Sequence, residues 1–124
     1  MTIIDAINRI DKLVPNTFEE REKIFFLSTL DATVKEAVID RHEGFEEVVF
    51  EGYGEDTDTD TVLLVPAPYD EIYLFWLEMK ICYYNQDMDQ YNNATVMFNK
   101  VYDKYCKFYN RTRKPRKEHR GFHF

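Results

Sequence analysis

The first forty residues carry apolar side chains at helical spacing, interrupted once by a proline. A Thr-x-x-Asp pattern at Thr2 precedes a short apolar run over residues 3–10, which is typical of a capped helix start. A Thr-x-x-Glu pattern at Thr17 precedes a longer apolar run. These patterns predict two helices, the second from about residue 18 to about residue 42, with Gly44 as a left-handed stop.

The middle of the chain changes to a strand-like pattern. Residues 45–50 and 61–65 are short apolar, β-branched runs, and the polar residues 51–60 lie between them. This arrangement predicts a long β hairpin inserted between helices. Its loop carries four closely spaced acids, Glu55, Asp56, Asp58 and Asp60. Because Ala67 stands where a calcium loop needs its glutamate, we expect a solvated, mobile acidic loop without a bound metal.

The second half of the chain has an apolar seam that advances in alternating steps of three and four residues. Its members are Leu74, Leu77, Ile81, Tyr84, Met88, Tyr91, Thr95, Phe98, Tyr102, Tyr105 and Tyr109. Two structures fit this seam: one long helix over residues 69–109, or a helical hairpin that turns at residues 85–87. We favour the hairpin, because Asn85, Asp87 and Asp89 concentrate poor helix formers at one point.

Together these patterns predict one mainly α-helical domain over residues 1–109, with an extended tail at residues 110–124. It would be a small bundle of about four helices, with the hairpin and its acidic loop inserted at about residues 45–65. The core residues that we expect are Ile24, Leu27, Leu30, Val34, Leu74, Leu77, Ile81, Tyr91, Phe98 and Tyr102.

Three asparagines recur every seven residues in the second half, each directly after a seam aromatic. They are Asn85, Asn92 and Asn99. One interpretation is a solvated flank of the helices. The other is a polar strip at a subunit contact, where asparagine fixes the register through hydrogen bonds.

Composition narrows the class of protein. Aromatic residues make up 16% of the chain, and tyrosine in particular is favoured at protein interfaces as well as in cores. Nucleophile elbows, phosphate-binding loops and dinucleotide fingerprints are absent from the sequence, so we expect neither an enzyme nor a cofactor. Cys82 and Cys106 are expected to be free thiols in a reducing compartment, and no apolar run predicts a signal peptide or a membrane span.

The charge is divided unevenly between body and tail. Residues 110–124 hold six basic residues against Glu118, a formal charge of +5, so the rest of a chain that carries −7 holds −12. Three uses fit such a tail: a solvated segment, nucleic-acid contact, or docking onto an acidic groove of a protein partner. Two terminal aromatics favour protein docking. The candidate docking residues are Arg111, Arg113, Lys114, Arg116, Lys117, Arg120, Phe122 and Phe124.

Several runs of the sequence resemble one known class of protein. They are VPAPYDEIYLFWL over residues 65–77, YYN over residues 83–85, YNN over residues 91–93, MFN over residues 97–99 and YNRT over residues 109–112. The chain is similar in these runs and in its plan to the head–tail connector (head-completion or adaptor) proteins of tailed phages and prophages. The resemblance covers nearly the whole chain.

The resemblance implies a structural role in the virion, after assembly in the bacterial host cytoplasm. Such proteins form a ring, usually twelvefold, that binds the portal protein and the downstream tail or neck proteins and extends the DNA channel without binding DNA specifically. It implies that residues 110–124 dock onto the portal and that the acidic loop lies near the channel or the next tail component. The alternative is a small nucleic-acid-binding regulator that acts through the basic tail.

Overall fold

The computed structural model describes residues 1–117, and its helices confirm the predicted mainly α-helical bundle. Within these residues the four α-helices are α1 (Ile3–Leu13), α2 (Glu20–Ala37), α3 (Ile72–Tyr84) and α4 (Met88–Thr112). Three short 3₁₀ turns complete the regular structure, at Ile39–Arg41, Phe45–Glu47 and Tyr69–Glu71.

Helices α3 and α4 form the antiparallel hairpin that the apolar seam predicts. The chain reverses between them at Gln86, which has a φ of 61°. Asp87 then starts α4, because its side chain accepts a hydrogen bond of 3.2 Å from the backbone N–H of Gln90. A single long helix is therefore excluded, and the cluster of poor helix formers marks the turn.

The predicted helix starts are right for α1 and wrong for α2. Thr2 and Asp5 exchange two hydrogen bonds of 3.1 Å, as a capping box requires. The expected pair Thr17 and Glu20 does not form. Instead α2 begins two residues later than expected, where the Glu22 carboxylate accepts a bond of 3.1 Å from the backbone N–H of Glu19.

The residues just before α2 contact other parts of the fold. The Phe18 ring lies edge-on to the Phe26 and Tyr84 rings, with centroids 5.9 and 6.0 Å away. The Phe18 N–H donates a hydrogen bond of 3.2 Å to the Asn16 side-chain oxygen. At its other end α2 stops at Ala37, and the chain continues through a 3₁₀ turn to Gly44, which has the expected left-handed φ of 86°.

The core lies where α1 and α2 pack against the α3–α4 hairpin. Most of the predicted core is buried: Ile24, Leu27, Leu30, Val34, Leu77, Ile81 and Phe98. Three predicted core residues, Leu74, Tyr91 and Tyr102, are only half-buried. Tyr73 and Tyr105 lie fully inside although they carry hydroxyl groups.

The predicted β hairpin is wrong, because residues 1–117 contain no β-strand. Residues 45–47 form a 3₁₀ turn, and residues 61–65 pair elsewhere. The Thr61 carbonyl accepts a bond of 3.0 Å from Ile3, and the Leu63 N–H donates one of 2.9 Å to Met1. Because these backbone groups bond to residues 1 and 3, residues 61–65 do not pair with residues 45–50 as strands.

More of the basic tail is attached to the body than the sequence predicts. Helix α4 continues to Thr112, three residues beyond the expected boundary. Beyond it, the Lys114 carbonyl accepts a bond of 2.9 Å from Glu43, and the Arg116 N–H donates one of 2.8 Å to Arg41. The Arg116 guanidinium also stacks 4.1 Å from the centre of the Phe45 ring. The tail is therefore part of the fold up to Arg116.

This attachment predicts different stabilities for two truncated chains. A chain ending at Lys117 keeps every contact described above and should melt as the full-length protein does. A chain ending at Thr112 loses three backbone hydrogen bonds and the stacking of Arg113 on Tyr109 and of Arg116 on Phe45, each worth about 0.5–1.5 kcal/mol, and should melt several degrees lower. Thermal unfolding followed by circular dichroism measures both. Equal melting temperatures for the two truncations would contradict the attachment.

Candidate protein-docking surface

A buried carboxylate fastens the irregular segment 48–65 to the helices. Asp31, on α2, is 0% exposed. Its Oδ2 accepts hydrogen bonds from the Tyr53 hydroxyl at 2.5 Å and the Leu64 N–H at 3.1 Å, and its Oδ1 accepts one from the Tyr73 hydroxyl at 2.6 Å. The Tyr73 oxygen in turn accepts a bond of 2.8 Å from the Val65 N–H. These five residues form what we call the Asp31 network.

Burial governs the electrostatics of the network. It raises the pKa of Asp31 above its ordinary value of 3.8, and the bonds from Tyr53, Tyr73 and Leu64 limit that rise because they favour the charged form. Burial and the neighbouring carboxylate together raise the pKa of both tyrosines, which therefore remain hydrogen-bond donors. The network thus holds α2, α3 and the irregular segment together through directional bonds.

The network sets the path of the chain at the surface. Gly52 has a φ of 93°, which L side chains rarely adopt, and the chain turns there toward α2. The N–H of the next residue, Tyr53, donates a hydrogen bond of 2.9 Å to the Ser28 hydroxyl oxygen. Tyr53, Gly54 and Glu55 are thereby placed beside the first half of α2.

An open groove of about 700 Å³ lies at this point. Its volume is within the range of about 300–1,000 Å³ that is usual for binding pockets. Its wall is formed by the first turns of α2, the end of α3 and part of the irregular segment 48–65. Its lining residues are Phe18, Arg21, Glu22, Ile24, Phe25, Phe26, Tyr53, Gly54, Glu55 and Tyr84.

The groove is aromatic inside and charged at its rim. Phe25 is 65% exposed and Tyr84 is 59% exposed. At the rim Arg21 lies 3.0 Å from a Glu19 carboxylate oxygen and 4.0 Å from one of Glu55. An apolar surface with a polar rim is typical of protein-binding sites.

The apolar surface continues from the groove onto the α3–α4 hairpin. Tyr84 also borders a second depression, lined by Trp76, Met79, Lys80, Tyr83 and Tyr91. The Trp76 indole donates a bond of 2.8 Å to the Phe26 carbonyl, which fixes the ring against α2. The Lys80 ammonium lies 4.7 Å from the centre of the Trp76 ring. We call the groove and this depression together the aromatic face.

The four acids predicted as a channel-side or tail-side loop are all exposed: Glu55, Asp56, Asp58 and Asp60. Glu55 lines the groove, which the sequence does not predict. The loop is folded into turns, since the Thr57 hydroxyl accepts from Gly54 at 2.8 Å and the Asp58 carboxylate accepts from Asp60 at 2.9 Å. Among residues 1–117, no group of three or more potential ligands could hold a metal ion.

The structure describes five of the eight predicted tail residues, and all five are exposed: Arg111, Arg113, Lys114, Arg116 and Lys117. The Arg113 guanidinium stacks 4.2 Å from the centre of the Tyr109 ring. Arg120, Phe122 and Phe124 lie outside the described residues. The tail contacts the body from its first residue, because the Asn110 side-chain oxygen lies 2.8 Å from Nε2 of the buried His42.

The predicted asparagine strip is solvent-exposed at all three positions. Asn85 ends α3, whereas Asn92 and Asn99 lie two turns apart on α4. This exposure fits both the solvated flank and the subunit contact.

Cys82 and Cys106 are free thiols, and burial raises the pKa of each above its ordinary value, which disfavours the reactive thiolate.

Comparison with known proteins adds no relative: no family model, no curated protein and no solved structure matches the chain. Of the helices within residues 1–117, none is long and apolar enough to cross a membrane.

The Asp31 network predicts a distinctive pH dependence. Because the folded-state pKa of Asp31 is raised, its contribution to stability is fully present below pH 3.8 and is lost as the pH rises through the folded pKa. Asp31→Asn removes the titrating group, so the stability that the wild type has over the variant, which is the cost of the substitution, should be largest at low pH, where the carboxyl is protonated. The cost should shrink as the pH rises. Urea unfolding of both proteins from pH 3.5 to 8 measures this, and a cost that grows with pH would contradict it.

The Tyr73 hydroxyl should be the most sensitive atom of the network. Tyr73→Phe leaves the buried Val65 N–H without its acceptor, which costs about 1–3 kcal/mol, and it also removes one donor from Asp31. Tyr91→Phe is the matched control, because this half-buried ring lies outside the network. Urea unfolding at pH 7 compares the two variants, and equal losses would show that the network adds no stability.

Proposed function

We propose that this chain is a structural adaptor that works by binding other proteins, and that the assembly it serves is the head–tail connector of a tailed phage or prophage. One observation carries the proposal: the aromatic face exposes Phe25, Tyr83 and Tyr84 by more than half. Isolated exposed apolar residues are ordinary, but a continuous aromatic surface around a groove is typical of a binding site.

The chemistry of the face favours a protein partner. Tyrosine, tryptophan, phenylalanine and arginine are the residues that contribute most to protein interfaces, and the face contains all four types. Its rings are also held in place before a partner arrives. Phe26 stacks on Tyr84 with ring centroids 6.1 Å apart, and Trp76 is hydrogen-bonded to the backbone. Rigid side chains lose little entropy on binding.

The residues that carry the resemblance to connectors also build this face. The run at residues 65–77 supplies Trp76 to the depression, and the run at residues 83–85 supplies Tyr83 to the depression and Tyr84 to both the groove and the depression. A connector subunit needs surfaces for its ring neighbours and for the portal and neck proteins. The acidic residues 51–60, which include no base, would repel DNA and let it pass through the channel.

The alternative, a nucleic-acid-binding regulator, depends on the basic tail. Two of its arginines already have partners in the fold, since Arg113 stacks on Tyr109 and Arg116 stacks on Phe45. The exposed bases Arg111, Lys114 and Lys117 are what a phosphate backbone would meet. An acidic body of −12 opposes such binding, so we place this function second.

A joining assay with phage heads tests the connector proposal. Full-length protein is mixed with portal-bearing heads and with heads that lack a portal, both from the phage or prophage that encodes it, and bound protein is imaged by electron microscopy. We expect a ring at the portal vertex and none on portal-free heads. Phe25→Ser should reduce joining, whereas Val96→Ser, which changes an exposed apolar residue of α4 outside the groove, should not.

A mobility shift with duplex DNA at two salt concentrations accompanies the assay. The connector proposal expects weak binding. Tight binding that weakens steeply with salt, together with no joining to portal-bearing heads, would contradict the connector and favour the regulator.

A further inference from the structure

Two surfaces of complementary chemistry lie at opposite ends of α2. The groove, with Tyr53, Gly54 and Glu55 of the acidic loop in its wall, is beside its first half, where Tyr53 bonds to Ser28. The attached part of the tail lies beyond its last residue, where Arg116 bonds to Arg41. Past Lys117 the sequence continues with seven residues that include Arg120 and two phenylalanines.

We propose that residues 117–124 of one copy bind the groove of a second copy of this chain. Phe122 and Phe124 would enter the aromatic part of the groove, and Lys117 and Arg120 would meet the acidic loop. This inference rests on the proposed adaptor function and deepens it by naming the neighbouring subunit as the occupant of the groove. It gives the aromatic end of the tail a partner other than the portal.

The charges of the two segments support this pairing. Residues 51–60 contain five acids and no base, and residues 110–124 contain six bases and one acid. The rim adds Glu22 against the single guanidinium of Arg21. All the described acids and bases of the two segments are exposed, so both surfaces are accessible to another chain. Such a contact is steered by charge and weakens with salt.

The reach of the tail favours a second copy over the same copy. Phe25 and Ala37 are about 18 Å apart along α2, and Arg41 follows in the next turn. The six steps along the chain from Arg116 to Phe122 span at most about 20–22 Å when fully extended. Docking onto its own groove would therefore require a straight chain without slack across the surface. A tail that binds the groove of a neighbouring copy does not have to span this distance.

A tail that binds a neighbour's groove makes a head-to-tail contact, in which two different surfaces meet. Contacts of this kind repeat from copy to copy and produce a closed ring or an open filament, whereas a symmetric dimer would use one surface twice. The proposal therefore supplies the type of interface that a ring needs.

A complementation experiment with full-length chains tests the interface. The groove variant is Phe25→Ser/Tyr84→Ser, and the tail variant is Phe122→Ser/Phe124→Ser. The matched control is Val96→Ser/Met97→Ser, which changes two exposed apolar residues of α4 outside the groove. Circular dichroism melts first establish that each variant is folded. Sedimentation velocity up to about 1 mM protein then measures self-association at low and high salt.

The proposal expects the wild type and the control to self-associate, more weakly at high salt. Each groove or tail variant alone should associate about tenfold more weakly or not at all. An equimolar mixture of the groove and tail variants should form a 1:1 dimer, because the mixture holds one intact groove and one intact tail. Only a head-to-tail interface predicts this rescue.

Three results would overturn the proposal: a wild type that stays monomeric at about 1 mM, a tail variant that associates like the wild type, or a mixture that forms no dimer. These results are separable from the test of the connector function. Failure to join portal-bearing heads with complementation intact would reject the connector and keep the interface. Joining to portal-bearing heads without complementation would keep the connector and reject the interface.

Discussion

The buried Asp31 carboxylate is the interaction on which the rest of the structure depends. An ionisable group inside an apolar core is costly unless it is hydrogen-bonded, and here three donors converge on its two oxygens. Those donors come from α3 and from two separate points, Tyr53 and Leu64, of the irregular segment 48–65. These hydrogen bonds therefore hold residues 48–65 in place, as a sheet or a larger core does in other small domains.

The aromatic face follows from this constraint. The Asp31 network fixes Tyr53, and Tyr53 places Glu55 beside Arg21 at the rim of the groove. Phe18, just before α2, also lines the groove and contacts the Phe26 ring. A polar network in the core thus determines the shape of an apolar surface outside it. This connection joins the stability of the fold to the proposed docking function.

Sequence patterns predict the local features of this fold better than the long-range ones. The capping box at Thr2 and the turn at residues 85–87 depend on neighbours in sequence, and both are confirmed. The β hairpin was wrong because the partner of residues 61–63 is the N-terminus, which no local pattern reveals. Asp31 did leave a signal, since it stands within the apolar stripe of Leu27, Leu30 and Val34, but its partners lie up to 42 residues away. The groove is less predictable still, because it combines three separate segments.

Electron cryomicroscopy of this protein mixed with portal-bearing heads, at side-chain resolution, tests the central claim most directly. That claim is that the aromatic face is a protein interface. The expected result is that another chain covers Phe25 and Tyr84, with the aromatic end of a neighbouring tail in the groove. An assembled particle in which both side chains face open solvent would contradict it.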